Sequence, residues 1–292
     1  MRNSVTLTVI GNITSNYGEG LGNIASTQKV FRNGKAYAIR SKESLKNGIM
    51  TQSGFYDDLE VSTDGVTQKI ATEEKNASNC RALEGGYMNT SGNTTIRKSS
   101  FYLTDAVSVD EFVNEYRFHN NLFMAQKCAE DKGLNLQSNS KECGLMPYQY
   151  EYDKSLKKYS ITIDLDMIGE DENFDAHASK EEKADRVNTL LDTVENLSLV
   201  VKGNLDNAEP LLVVGGIVDR KTHYFDNVVN VKRNRLEICD DLQEKLNKAG
   251  NIGLLKGGNF DNEEEIVEKF NPMSISGFFE DLKSKVNEYY GV

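Results

Sequence analysis

Near the start of the chain Val5, Leu7 and Val9 alternate with Thr6 and Thr8, the period-2 pattern of a strand with one apolar face, read here as Ser4 to Gly11. Thr27 to Arg40 then reads as two strands around Asn33-Gly34, a dipeptide suited to the tight turn of a hairpin. That turn sets Arg32 opposite Lys35, Phe31 opposite Ala36, Lys29 opposite Ala38 and Thr27 opposite Arg40, and puts Lys29, Phe31 and Arg40 on one face. Ser41 is a good N-cap for a helix that reaches about Gly54. In that helix Leu45 and Ile49 share one face, and Lys42 and Lys46 share the next.

From Asp57 to Lys158 polar residues dominate, and the region reads as an insertion with small structure of its own. Within it Ser108 or Asp110 starts a helix to about Asp131, whose uneven apolar stripe of Phe112, Tyr116, His119, Phe123 and Met124 is expected to be core. Regular patterning then returns. Tyr159, Ile161, Ile163, Leu165 and Met167 alternate with Ser160, Thr162, Asp164 and Asp166, a half-buried strand ended by Gly169. Ser179 to Glu182 reads as a capping box before a helix with Ala184, Val187, Leu190, Leu191, Val194 and Leu197 on one stripe. Leu211 to Val218, after Pro210, is apolar on both faces and reads as a covered strand. Helices near Leu236 to Lys248, after Asn262 and after Ser274 complete the chain.

Strand, helix, insertion, strand, helix and strand fit an α+β fold of the βαββαβ type, the ferredoxin-like or RRM-like arrangement. The corresponding division is 1–56 for the first part of such a palm, 57–158 for the inserted region and 159–292 for the remainder. The 292 residues suffice for a sizeable core. The longest apolar and glycine run has eight residues, too short for a membrane span.

Charge complicates a nucleic-acid role, because the net charge is -11. The distribution is uneven: residues 1–56 hold seven cations against two acids, so a basic patch sits on an acidic body. The same region has Gly18, Gly20 and Gly22 directly after the first strand, which lets the main chain approach a ligand closely. It lacks the spacing of a dinucleotide fingerprint. Four cysteines at 80, 128, 143 and 239 form no CxxC and are expected as free thiols in a reducing cytoplasm. No nucleophile elbow or P-loop occurs, and His119, His177 and His223 lie in unrelated contexts.

Two motifs carry a family resemblance. The stretch Asn16-Tyr17-Gly18-Glu19-Gly20-Leu21-Gly22-Asn23-Ile24 precedes the hairpin, and Arg40-Ser41-Lys42-Glu43-Ser44-Leu45-Lys46 follows it. Together they resemble the start of the CRISPR-associated RAMP-superfamily backbone proteins of type I-B Cascade. Ser41 to Lys46 is similar to the S-x-x-S-L-K helix start of that superfamily.

The resemblance implies an RRM-like palm with large finger and thumb insertions. It implies a non-catalytic subunit, without cofactor or metal, that oligomerises with copies of itself along crRNA. Such a subunit joins other Cascade subunits and presents the guide to a target DNA strand. By the same resemblance Lys46 and Lys42 are phosphate ligands, Arg40, Lys29 and Ser41 neighbouring backbone contacts, and Asn16, Tyr17 and Gly18 the loop against the sugar-phosphate chain. Arg97 and Lys98, beside Phe101 and Tyr102, are placed near the guide; a thumb at about 167–186 carries Phe174 as a wedge.

Two alternatives remain open at this level. One is a metal-dependent ribonuclease of the related type III kind with Asp164 or Asp166 as its acid. The other is a nucleotide-binding enzyme using the Gly18 to Gly22 loop.

Overall fold

The structure, a computed structural model, describes residues 3–18, 24–90 and 94–292. Gly20 and Gly22 of the glycine-rich loop therefore lie outside the described residues. An eight-stranded sheet organises the chain. Its strands are β1 (Ser4–Thr14), β2 (Lys29–Arg32), β3 (Lys35–Arg40), β4 (Phe101–Leu103), β5 (Ala106–Ser108), β6 (Lys154–Asp164), β7 (Pro210–Val218) and β8 (Asn251–Leu254). They lie in the order β8, β7, β1, β6, β5, β3, β2, with β4 also paired to β6. Every pairing in this sheet is antiparallel.

The alternation in β1 decides which element covers which face. Val5, Leu7 and Val9 join Tyr159, Ile161 and Ile163 of β6 in one core with three helices. Those helices are α1 (Lys42–Gln52), α3 (Lys180–Glu195) and α6 (Ile275–Tyr290), contributing Leu45 and Ile49, Val187 and Leu191, and Phe278 and Phe279. The remaining three are α2 (Leu122–Asp131), α4 (Asp240–Ala249) and α5 (Glu263–Phe270). Among the described residues no helix is long and apolar enough to cross a membrane.

The half-buried pattern leaves the opposite face polar, and the fold seals it. Thr6, Thr8, Ser160 and Thr162 are all buried. Buried hydroxyls need partners, and the segment 219–230 supplies them. Ser160 Oγ donates to Asp226 Oδ1 at 2.9 Å, Thr162 Oγ1 donates to the Thr222 carbonyl at 3.0 Å, and Thr162 Oγ1 lies 2.9 Å from His223 Nδ1. Burial of the His223 ring lowers its pKa.

The hairpin forms as expected, with Asn33 and Gly34 both at positive φ and Lys29, Phe31 and Arg32 opposite Ala38, Ala36 and Lys35. Its expected face of Lys29, Phe31 and Arg40 does not form. Phe31 is 77% exposed, Arg40 is buried, and Lys29 is drawn into an ion pair with Glu151 and sits 4.6 Å from the Phe112 ring centroid.

The helix expected from Ser108 or Asp110 to Asp131 is replaced by a strand, Tyr116–His119, followed by α2. Aromatic residues favour a pleated surface, and Tyr116–His119, with Tyr116 and Phe118 alternating with Arg117 and His119, pairs with Tyr148–Glu151, a partner invisible to local periodicity. In α2 the core contacts are Ala125 and Ala129, so Phe123 and Met124 stand in solvent.

Half of the capping box is realised. Ser179 Oγ accepts from the Glu182 amide at 3.2 Å, whereas the Glu182 carboxylate turns to Arg81 and Arg186. β4, β5 and the start of β6 come from within the span 57–158, so that span contributes strands to the main sheet besides its own hairpins.

Candidate nucleic-acid interface

The start of α1 gathers four separate pieces of chain. Ser41 is extended at φ -64°, and its Oγ accepts from the Ser44 amide at 3.3 Å, so it caps the helix as its sequence position predicts. The Ser41 amide donates to Asn16 Oδ1 at 2.8 Å, and Asn16 Nδ2 donates to Gln28 Oε1 at 2.7 Å. The Gly18 amide donates to the Ser26 carbonyl at 2.8 Å. Lys42 is tied by its backbone amide to Asp105 Oδ1 at 2.8 Å. Asn16 and Ser41 are thereby held beside the lysine-bearing helix.

Lys46 reaches from α1 to the turn Arg81–Gly85. Its Nζ donates to the Gly85 carbonyl at 2.9 Å and to Ser99 Oγ at 2.8 Å, and lies 4.9 Å from the Phe101 ring centroid. Both acceptors are neutral. Burial lowers the Lys46 pKa to about 8, and the nearby Lys69 ammonium adds to the shift. Lys46 and Lys42 line a cleft of about 290 Å³ with Glu43, Ser99, Phe101, Tyr102 and Leu103, and the Glu43 carboxylate partly opposes the Lys46 shift. The Lys42 side chain is 57% exposed and lies 3.5 Å from Glu43, a loose surface pair.

Tyr17 and Arg40 face elsewhere. The Tyr17 ring meets Tyr150 edge-on at 5.6 Å, with the Lys202 ammonium 5.1 Å from its centroid. Its phenol is pushed up to about 12, first by burial and then by Tyr150 and Tyr152. Arg40 lies beneath the loop, where Nη1 donates to the Thr14 carbonyl at 3.4 Å and Nε has no hydrogen-bond partner. Burial lowers its pKa and Asp206 partly opposes the shift. Beside it Lys157, fully buried, donates to the Ile13 carbonyl at 2.7 Å and pairs with Asp153. Composition had not singled out Lys157 or Lys69, because only the fold places them next to Arg40 and Lys46.

Arg97 ends the short strand Thr95–Arg97, and Lys98 lies just beyond it. Lys98 is exposed. Arg97 is buried: Nε donates to the Glu170 carbonyl at 2.8 Å, Nη1 to Leu83 O at 3.0 Å, and Nη2 to Glu84 Oε2 at 2.9 Å, Ser100 Oγ at 2.8 Å and Met167 O at 2.9 Å. The guidinium fork of Arg97 thus binds protein on every side, which corrects the placement of this residue on an RNA-facing cluster. Phe174 lies between Glu170–Asp171 and Ala176–His177, half-buried against the small cluster that includes Ala71, Ala82 and Tyr87.

Residues 40–237 match the family model described as CRISPR-associated negative auto-regulator DevR/Csa2. The chain belongs to the DevR/Csa2 family. Its fold is similar to that of a chain from a CRISPR RNA-guided surveillance complex, with a TM-score of 0.59 at 13% identity over 97% of this chain and 99% of the other. A chain from such a complex in a pre-nicking state is similar at a TM-score of 0.57 and 12% identity, over 87% of this chain and 93% of the other. No curated protein sequence matches.

The DevR/Csa2-family chain uses the two acids of the ribonuclease alternative as structural partners. Asp164 is buried and its Oδ2 lies 3.0 Å from Lys221 Nζ. Asp166 accepts from the Asn3 amide at 3.1 Å and from Tyr289 Oη at 2.6 Å. Among the described residues no group of three or more His, Cys, Asp or Glu side chains is arranged to hold a metal ion.

Proposed function

We propose that this chain is a non-catalytic backbone subunit of a Cascade-type, CRISPR RNA-guided surveillance complex of subtype I-B. Copies of it oligomerise along crRNA, meet the other Cascade subunits and present the guide to a target DNA strand. The antiparallel order β7, β1, β6, β4, with α1 and α3 in the core on one face, supports reading the centre as a ferredoxin-like palm. The parts of 57–158 outside β4, β5 and the start of β6 then supply the finger, and about 167–186 the thumb.

The observation that carries the RNA reading is the environment of Lys46. A half-buried ammonium bonded only to neutral acceptors gains from an approaching phosphate what burial took away. Lys42 one turn earlier, and the Asn16 to Gly18 loop fastened to Ser41, extend the contact along a sugar-phosphate strand. Backbone contacts carry no base information, so the guide is held whatever its sequence. Modest contacts repeated in many copies sum to a large affinity.

The test is co-expression with a CRISPR array, followed by measurement of RNA co-purifying with the native chain and with the Lys42→Ala, Lys46→Ala double variant. Loss of regular-length RNA from the variant is expected. Equal recovery removes both lysines from the site.

A further inference from the structure

A second feature lies on a different sheet. Tyr116–His119 pairs antiparallel with Tyr148–Glu151, which pairs in parallel with Ile24–Ala25. Cross-strand neighbours share a face, so His119 opposite Tyr148 and Arg117 opposite Tyr150 all point one way. The rings of His119, Tyr148 and Tyr150 are nearly parallel. Their centroids are 5.3, 4.8 and 6.4 Å apart, with interplanar angles of 15°, 12° and 18°. His119 Nε2 is buried without a hydrogen-bond partner, so its imidazole is held by its neighbouring rings. Tyr150 is 6% exposed and meets Tyr17.

Packing accounts for the inner rings and leaves the outer one unexplained. Tyr148 is aligned with the others yet remains 44% exposed. Cations accompany the group: the Arg117 guanidinium lies 3.4 Å from the Tyr152 ring centroid, and Lys202 covers Tyr17. A pre-oriented ring with an open side, next to fixed cations, suits a flat, electron-rich ligand attached to an anionic chain.

We infer that the His119, Tyr148 and Tyr150 rings form a nucleobase-stacking ledge for single-stranded nucleic acid, with Tyr148 as the outermost ring. This rests on the RNA-binding reading above and adds to it a base contact distinct from the phosphate contacts at α1. Tyr17 joins the two places, because it lies in the Asn16 to Gly18 loop and touches Tyr150. Stacking tolerates any base, as a sequence-independent guide holder requires.

The test uses the full chain with short single-stranded RNA and DNA oligomers carrying one 2-aminopurine, whose emission falls when it stacks. Quenching on binding is expected, in RNA if the ledge takes the guide strand and in DNA also if it takes the target strand. Tyr148→Ala should weaken binding about tenfold and abolish the quenching. Tyr148→Phe should retain both, and Tyr148→Leu, which keeps apolar bulk, should lose the quenching. Phe118→Ala, on the opposite face of the paired strand Tyr116–His119, should change neither. Undiminished affinity and quenching in Tyr148→Ala, or no quenching in either oligomer, overturns the ledge. The Lys42→Ala, Lys46→Ala variant separates the two readings: quenching retained at saturation, with affinity unchanged, leaves the ledge standing and removes the lysine site.

Discussion

Arg97 and Lys46 approach the same short turn, Arg81–Gly85, from two sides and meet opposite fates. Arg97 spends its guanidinium on Glu84 and a set of carbonyls, and Glu84 in turn accepts from Arg186 Nη1 at 2.7 Å and the Gly169 amide at 2.7 Å. Arg97, Glu84 and Arg186 are all buried, so this side is a closed ionic knot tying the inserted region to α3. Lys46 finds only the Gly85 carbonyl and a serine hydroxyl, and it borders an open cleft. Two cations that look alike in the sequence are thus a fastener and a group left beside an open cleft, the one proposed above to meet a phosphate. The difference is that Glu84 bonds Arg97 directly, whereas Glu43, which borders the Lys46 cleft, makes no hydrogen bond to Lys46.

Removing the fastener should have the largest effect. Arg97→Met leaves Glu84 short of one of its two arginines in a buried site, and a loss of about 3–5 kcal/mol is expected in chemical denaturation. RNA bound per folded molecule should not change; a fall in that ratio would break the contrast. The Lys42→Ala, Lys46→Ala variant should do the reverse. A loss of about 1.5–3 kcal/mol in RNA affinity is expected at each charged contact removed, with the midpoint of thermal unfolding held or raised.

The pH dependence sharpens the same contrast. With the folded Lys46 pKa near 8, RNA affinity should fall roughly tenfold between pH 7 and pH 9 as the amine loses its proton, and Lys46→Arg should flatten the profile. The sign for stability is opposite. The folded value is below the ordinary 10.5, so the unfolded chain holds more protons between about 8 and 10.5 and stability gains from this group as pH rises through that window. Lys46→Met should abolish that gain, measured as the difference in denaturation free energy from the native chain. The smallest effect is expected from the caps. Ser41→Ala and Ser179→Ala should each cost about 1 kcal/mol of stability, and only Ser41→Ala, which disturbs the start of α1 beside Asn16, should also weaken RNA binding.

Much of the framework was legible because its signals are local. The alternation of Val5, Leu7 and Val9, the Asn33-Gly34 turn and the Ser41 and Ser179 caps all appear where the residues place them. The failures came where a partner distant in sequence decided the outcome. Tyr116–His119 became a strand because Tyr148–Glu151 was available to pair with it, and the hydroxyl face of β6 became interior because 219–230 folded over it. In the candidate site, the sequence placed Ser41 at the start of the helix that carries Lys46, and the fold bonds Asn16 to Ser41, whereas Arg40 and Arg97 turned inward toward Thr14, Glu84 and Glu170.

The sequence by itself determined the periodicities, the turn and the helix starts, since each depends on residues within a few positions of one another. It also determined that residues 1–56 are net basic, because only two of the 45 acids, Glu19 and Glu43, fall there. Only the tertiary structure decided which of the cations there and beyond remain available, because desolvation and pairing depend on what the fold brings within a few ångströms. Glu84 stands 13 residues from Arg97 and 102 from Arg186, and no local pattern announces that it will hold them both.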